Sequence, residues 1–259
     1  WQAALVASAL VTSTQALTIG LGPRLISGGS QKDLDTVLNF SMMFTMPAFF
    51  GFVVLSRDIL WILRPTYIEA WMTACILALK GVIGAFGSIS STAIAAKDEF
   101  DSYDNISIKD FIKSRIFLLN KIDLILASLY ITAVACYLII TQNMGMDIIE
   151  IIIIIAILSL IFTIIGTLIT MRLMRKFTTF KLTCKPLLKY AGSACIMSVI
   201  VYLLKTLLKP PSNILDAIGT VFLLAIIGTL IYGLTLYLTS NEFRRYLREA
   251  YFYIKNLQL

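Results

Sequence analysis

The sequence predicts an all-α integral membrane protein, and three observations predict it. The first is composition: 58% of the 259 residues are apolar and 14% are charged, with a mean hydropathy of +0.86, whereas a soluble domain carries roughly a quarter charged residues. The second is that the apolar residues gather into blocks of about 20 or more, long enough at 1.5 Å per residue to cross a hydrocarbon core of about 30 Å. The third is that lysine and arginine concentrate in alternate connections between those blocks. Seven spans follow, at about 1 to 20, 37 to 56, 68 to 96, 116 to 140, 148 to 171, 187 to 208 and 214 to 238.

The first span, "WQAALVASALVTSTQALTIG", starts at Trp1 with neither an initiator Met nor the basic leader of a signal peptide. A chain truncated at its front is therefore expected. Ser8, Thr12 and Gln15 fall on one face of this span. In the second span Pro47 interrupts "SMMFTMPAFFGFVVL" and removes a backbone donor, which predicts a kink that serves as a hinge or merely as shape.

The third span holds the odd residue, Lys80, in "ALKGVIGAFGSISSTAIAAKD". At 100° per residue, Thr73, Gly84, Gly87 and Ser91 lie within about 40° of it. Two readings stay open. In one, small residues let another helix approach while Lys80 snorkels to the interface. In the other, the stripe lines a hydrated cavity, because an ionisable group near mid-membrane costs at least about 2.5 kcal/mol without water, a partner or a charged ligand. Lys80 lies roughly 15 Å from the outer end, a long reach for snorkelling. The polar face of the first span suggests a wet path shared by the two helices. The fourth span begins with "NKIDL", where Lys121 is shallow enough to snorkel but Asp123 points to a different face and needs a partner on another helix or a cavity.

Orientation follows from the basic residues, which stay on the cytoplasmic side. One set of connections carries Arg24 and Lys32; Lys97, Lys109, Lys113 and Arg115; Arg172, Arg175, Lys176, Lys181 and Lys185; and, after the last span, Arg244, Arg245, Arg248 and Lys255. The other set has Arg57 and Arg64, then none, then Lys205 and Lys209. The N-terminus is predicted outside and the C-terminus in the cytoplasm. The tail "TSNEFRRYLREAYFYIKN" has capping-box spacing at Thr239 and Glu242 and an apolar face of Phe243, Leu247, Tyr251 and Ile254. It is expected to lie along the inner leaflet or to be held by neighbouring loops.

Several chemistries are argued against. The net charge of +7 is a topogenic and lipid-surface signal, since loops this short form no basic domain for nucleic acid. Histidine is absent, which removes the commonest general base and transition-metal ligand. Four cysteines show no paired spacing for a disulfide framework or a zinc site. No GxxxxGK[ST] is present. The loop "KDEFDSYDN" has Asp98, Glu99, Asp101 and Asp104 in a spacing faintly like a magnesium site of membrane prenyltransferases, but the second acidic cluster of such enzymes is missing. A solvated loop is expected, with no metal, no cofactor and no enzymatic activity.

The order of features resembles the C-terminal half of polysaccharide flippases of the multidrug/oligosaccharidyl-lipid/polysaccharide exporter superfamily. "GLGPRLIS" (20 to 27) is similar to the Pro-x-Leu-Ser that ends the family's eighth helix, and "MPAFFGFVVLSRDILWIL" (46 to 63) to its ninth helix with an early proline. "PTYIEAWMTACILAL" (65 to 79) resembles the Tyr-x-x-Ala start of the tenth, "STAIAAKDEF" (91 to 100) its small-residue and lysine end, and "FLLNKIDLILASLYI" (117 to 131) the eleventh with its Asn. The patterns cover most of residues 20 to 176. Two places depart from it: Arg64-Pro65-Thr66 replaces the usual Gly before the Tyr, and "MGMDIIE" (144 to 150) is a reduced form of the Gly-x-x-Gly-Ala before the twelfth helix.

The resemblance implies helices eight to fourteen of a fourteen-helix flippase: a transporter lobe over 1–176, truncated at its front, two additional spans over 177–239, and a basic amphipathic cytoplasmic tail over 240–259. It further implies export of a polyprenyl-linked oligosaccharide across the plasma membrane by alternating access, with membrane lipids and the missing N-terminal half as partners. Lys80 is the candidate cavity cation, Arg24 a candidate at the cytoplasmic mouth, and Gln15, Ser91 and Asp123 candidate cavity lining, with Pro47 a hinge or kink. Two alternatives stand beside it. One is a multidrug exporter of the same superfamily. The other is a seven-helix receptor-like protein, although the last span has no lysine for a retinal Schiff base and no Asn-Pro motif.

Overall fold

The computed structural model describes residues 1–14, 30–96, 112, 114–142, 145–178, 185–208 and 213–248. Its helices are α1 (Gln2–Thr12), α2 (Gln31–Leu63), a 3-10 turn (Pro65–Ala70), α3 (Trp71–Ala95), α4 (Arg115–Thr141), α5 (Ile148–Phe177), α6 (Lys185–Leu207) and α7 (Ile214–Thr239), followed by a helical segment over 241–248. No strand occurs among the described residues. Among the described residues six helices, α2 to α7, are long and apolar enough to cross a membrane, α3 together with its preceding turn. Of the first predicted span residues 1–14 are described, and they hold the eleven-residue α1. Gln15, Arg24, the motif at 20 to 27 and the acidic loop at 97 to 105 lie outside the described residues.

Helix ends depart from the predicted spans where polar residues continue the helix. α2 begins at Gln31, ahead of the apolar run, because Ser30 and Asp33 form a capping box, with the Ser30 amide donating to Asp33 Oδ2 at 2.7 Å. It stops at Leu63, since Arg64 precedes Pro65 and is pushed to extended backbone at φ −171° and ψ 136°. α5 runs past 171 to Phe177, with Arg175 and Lys176 in a last turn whose exposed carbonyls favour cations. The tail also differs. Thr239 is the last residue of α7 and its hydroxyl donates to the Thr235 carbonyl, so the predicted Thr239–Glu242 box does not form. Ser240 accepts from the Phe243 amide instead, and Glu242 accepts from the Tyr190 hydroxyl at 3.2 Å. Tyr251 and Ile254 lie outside the described residues.

The helices alternate in direction. α2 and α6 end together, where Lys205 forms an ion pair of 2.5 Å with Asp58 and donates to the Val54 carbonyl at 3.2 Å. At the opposite end, Arg115 of α4 donates to the Phe177 carbonyl of α5, and Tyr190 of α6 meets Glu242 beyond α7. Two apolar cores hold the bundle. The larger joins Leu34 and Leu38 of α2, Ala93 and Ile94 of α3, Met174 of α5, Tyr190 of α6 and Leu236 of α7. The smaller joins Ala4, Ala7 and Val11 of α1 with Leu60 of α2 and Ala74, Leu77 and Ala78 of α3. α3 packs on α1, α2 and α5, α2 continues the bundle to α6 and α7, and α4 lies outermost on α5. The outer faces of α4 and α7 expose Leu124, Ile131, Ile139, Leu230, Leu234 and Leu238. In water such a surface would aggregate; against hydrocarbon it is the solvated surface.

Candidate binding cavity between α3, α4 and α5

The centre of the site is set by what α3 lacks. Gly87 brings α3 so close to α5 that an added Cβ would lie 3.0 Å from Thr167 Oγ1, and the Thr167 hydroxyl donates to the Ile83 carbonyl at 3.4 Å. Beside this contact the helices enclose a cavity of about 470 Å³, lined by Lys80, Gly84, Gly87, Ser88 and Ser91 of α3, Asp123 and Tyr130 of α4, and Ser159, Thr163 and Thr170 of α5, among others. The two readings of the stripe around Lys80 thus occur together: part of it is a seam and part is a wall.

Lys80 does not reach for the end of its helix. Its Nζ donates to Ser159 Oγ on α5 at 2.7 Å, and Ser159 is buried. Most other hydroxyls around the cavity bond their own helices, Ser88 to Ala85, Ser91 to Gly87, Thr163 to Ser159 and Thr170 to Gly166 and Thr167. Such groups turn lone pairs to the cavity while their protons stay on the helix. Asp123 is exposed and lines the same space.

Of the predicted site residues the structure therefore brings Lys80, Ser91 and Asp123 to one cavity. Thr73 of the same stripe is instead buried, with its hydroxyl unpartnered. The shared wet path expected along the first span does not reach this cavity within the described residues. Ser8 and Thr12 donate to the carbonyls of Leu5 and Ala9, and Thr12 packs on Gly81, where an added Cβ would stand 2.7 Å from Thr12 Cγ2. The α5 wall was not anticipated. Its signal is present, since Ser159, Thr163, Gly166 and Thr170 recur at i, i+4, i+7 and i+11, one helical face.

A second cavity, about 570 Å³ and mostly apolar, lies among α2, α6 and α7 around Pro47, Gly51, Met197 and Gly228. Helix α2 passes through Pro47 without ending. The missing Pro47 N–H leaves the Met43 carbonyl without its intrahelical donor, and the buried Tyr232 hydroxyl of α7 supplies one at 2.8 Å. Beside it the hydroxyls of Thr14 and Thr45 share a hydrogen bond of 2.7 Å. No family model, curated protein or solved structure matches this chain.

Proposed function

We propose that this chain is the C-terminal half of a flippase that moves a polyprenyl-linked oligosaccharide across the plasma membrane by alternating access, with its N-terminus outside and its C-terminus in the cytoplasm. It acts as a transporter, not as an enzyme. The observation that carries this reading is a lysine held at the wall of a hydroxyl-lined cavity, nine residues into a helix long enough to cross the membrane. A charge kept at that depth has a use in meeting a charged ligand, and the anion of such a substrate is its lipid diphosphate. The order of motifs supports the family, and the alternation of basic connections supports the orientation.

The test uses the full-length protein. Lys80→Ala and Lys80→Gln are expected to insert and fold like the parent, because removing the charge relieves an insertion cost of about 2.5–3.5 kcal/mol. Glycan delivery to the cell surface, normalised to folded transporter, falls in both. Lys80→Arg keeps more activity than Lys80→Gln, as it keeps the charge but brings a wider planar head beside Gly84 and Gly87. Parental delivery by both Lys80→Ala and Lys80→Gln contradicts the reading.

A further inference from the structure

Among the described residues, Lys80 and Asp123 are the two charged ones lining the cavity between α3, α4 and α5, and the helix register fixes how far apart they stand. Gly87 of α3 faces Thr167 of α5, and Gly166 of α5 faces Leu126 of α4, so these positions share one level. From there Lys80 lies seven residues toward one end of the bundle. Asp123 lies three residues toward the other, because α4 runs antiparallel to α5, as the Arg115–Phe177 contact and the Tyr130–Phe162 ring pair at 5.8 Å both require. At 1.5 Å per residue the two backbones are about 15 Å apart along the helix axes. No ion pair joins the two side chains, and among the described residues the Asp123 carboxylate has no hydrogen-bond partner.

We propose that this cavity is a bipolar slot, in which Lys80 takes the anionic group of a ligand and Asp123 takes a cationic hydrogen-bond donor of the same ligand farther along. The lack of a side chain at Gly84 and the hydroxyls of Ser91 and Thr163 give the path between them a polar lining with little bulk. A carboxylate binds an ammonium better than a neutral donor, because the bond is charge-assisted. Resting on the flippase reading above, the inference names the substrate class more closely: a lipid diphosphate whose glycan carries a free amino sugar among its first residues.

The experiment reconstitutes the full-length protein in phospholipid vesicles with two matched probes, a polyprenyl diphosphate glycan bearing a free amine and the same glycan N-acetylated. Transbilayer movement is read by loss of access to an impermeant reagent. The parent is expected to move the amine probe faster. Asp123→Ala slows the amine probe about tenfold, the scale of one charged hydrogen bond, and leaves the acetylated probe unchanged, whereas Lys80→Ala slows both. Asp123→Asn, of nearly the same shape, carries the test if Asp123→Ala fails to fold. A parental rate for the amine probe in the Asp123 variants, or an equal fall for both probes in them, overturns the bipolar slot and leaves the transporter reading standing. A parent that moves neither probe overturns both.

Discussion

Gly81 and Gly87 decide how close α3 comes to its neighbours, and they do so on different faces. At Gly81 the neighbour is Thr12 of α1, 2.7 Å from an added Cβ, and at Gly87 it is Thr167 of α5, at 3.0 Å. Gly84 between them lines the cavity. Leucine at position 81 must push α1 away, a cost of the order of 3 kcal/mol for overpacking. Gly81→Leu is therefore expected to lower the yield of monodisperse protein after detergent extraction, whereas Gly219→Leu on the exposed face of α7, where an added Cβ meets nothing within 4 Å, keeps the parental yield. Equal yields would show that the α1–α3 contact does not matter for folding. The charged members of the site were legible because a lysine or an aspartate inside an apolar run is conspicuous. Ser159 was harder to read, since serine and threonine in a membrane helix usually bond their own carbonyls, and its place on the small polar face of α5 gains meaning only from its contact with Lys80.

Among the elements, α2 shows what a sequence can and cannot reveal about a helix. Pro47 is visible as a lost donor. The group that replaces it, Tyr232, lies on α7 and meets Met43 only once the helices pack. Tyr232→Phe keeps the ring in the core and strands a buried carbonyl. A loss of about 1 kcal/mol is expected, the scale of a hydrogen bond between membrane helices, measured by reversible unfolding in mixed detergent micelles. Tyr237→Phe, on an exposed part of the same helix, serves as control; equal stabilities of the two variants would remove Tyr232 as the partner of the proline site. The ends of α2 were misread for a related reason. Apolarity marks where a helix meets hydrocarbon, while the Ser30–Asp33 box and Pro65 mark where the backbone starts and stops being helical.

At the scale of the whole molecule, the alternation of helix directions and the segregation of basic residues agree. Arg115, Arg175, Lys176 and Arg244 belong to one end of the bundle, and Arg57, Asp58, Arg64 and Lys205 to the other. The order of the six long helices was readable from apolar blocks, while the first predicted span is described only as the short α1; which helices enclose a cavity was not readable, because that depends on glycines placing α3 against α5 with α4 outside. The central claim is that Lys80 faces water within the membrane. It is tested by replacing Cys75, Cys136, Cys184 and Cys195 with alanine, introducing Lys80→Cys, and measuring its modification by a charged, water-soluble methanethiosulfonate in intact membranes. Thr179→Cys and Asn143→Cys serve as loop controls on the faces proposed as cytoplasmic and outer, and Ile131→Cys marks the exposed apolar side of α4. A thiol in hydrocarbon stays protonated and unreactive, whereas one in a hydrated cavity forms the attacking thiolate. The predicted result is modification of Lys80→Cys at a rate comparable to the loop positions, with Ile131→Cys unmodified; a Lys80→Cys as inert as Ile131→Cys would contradict the account.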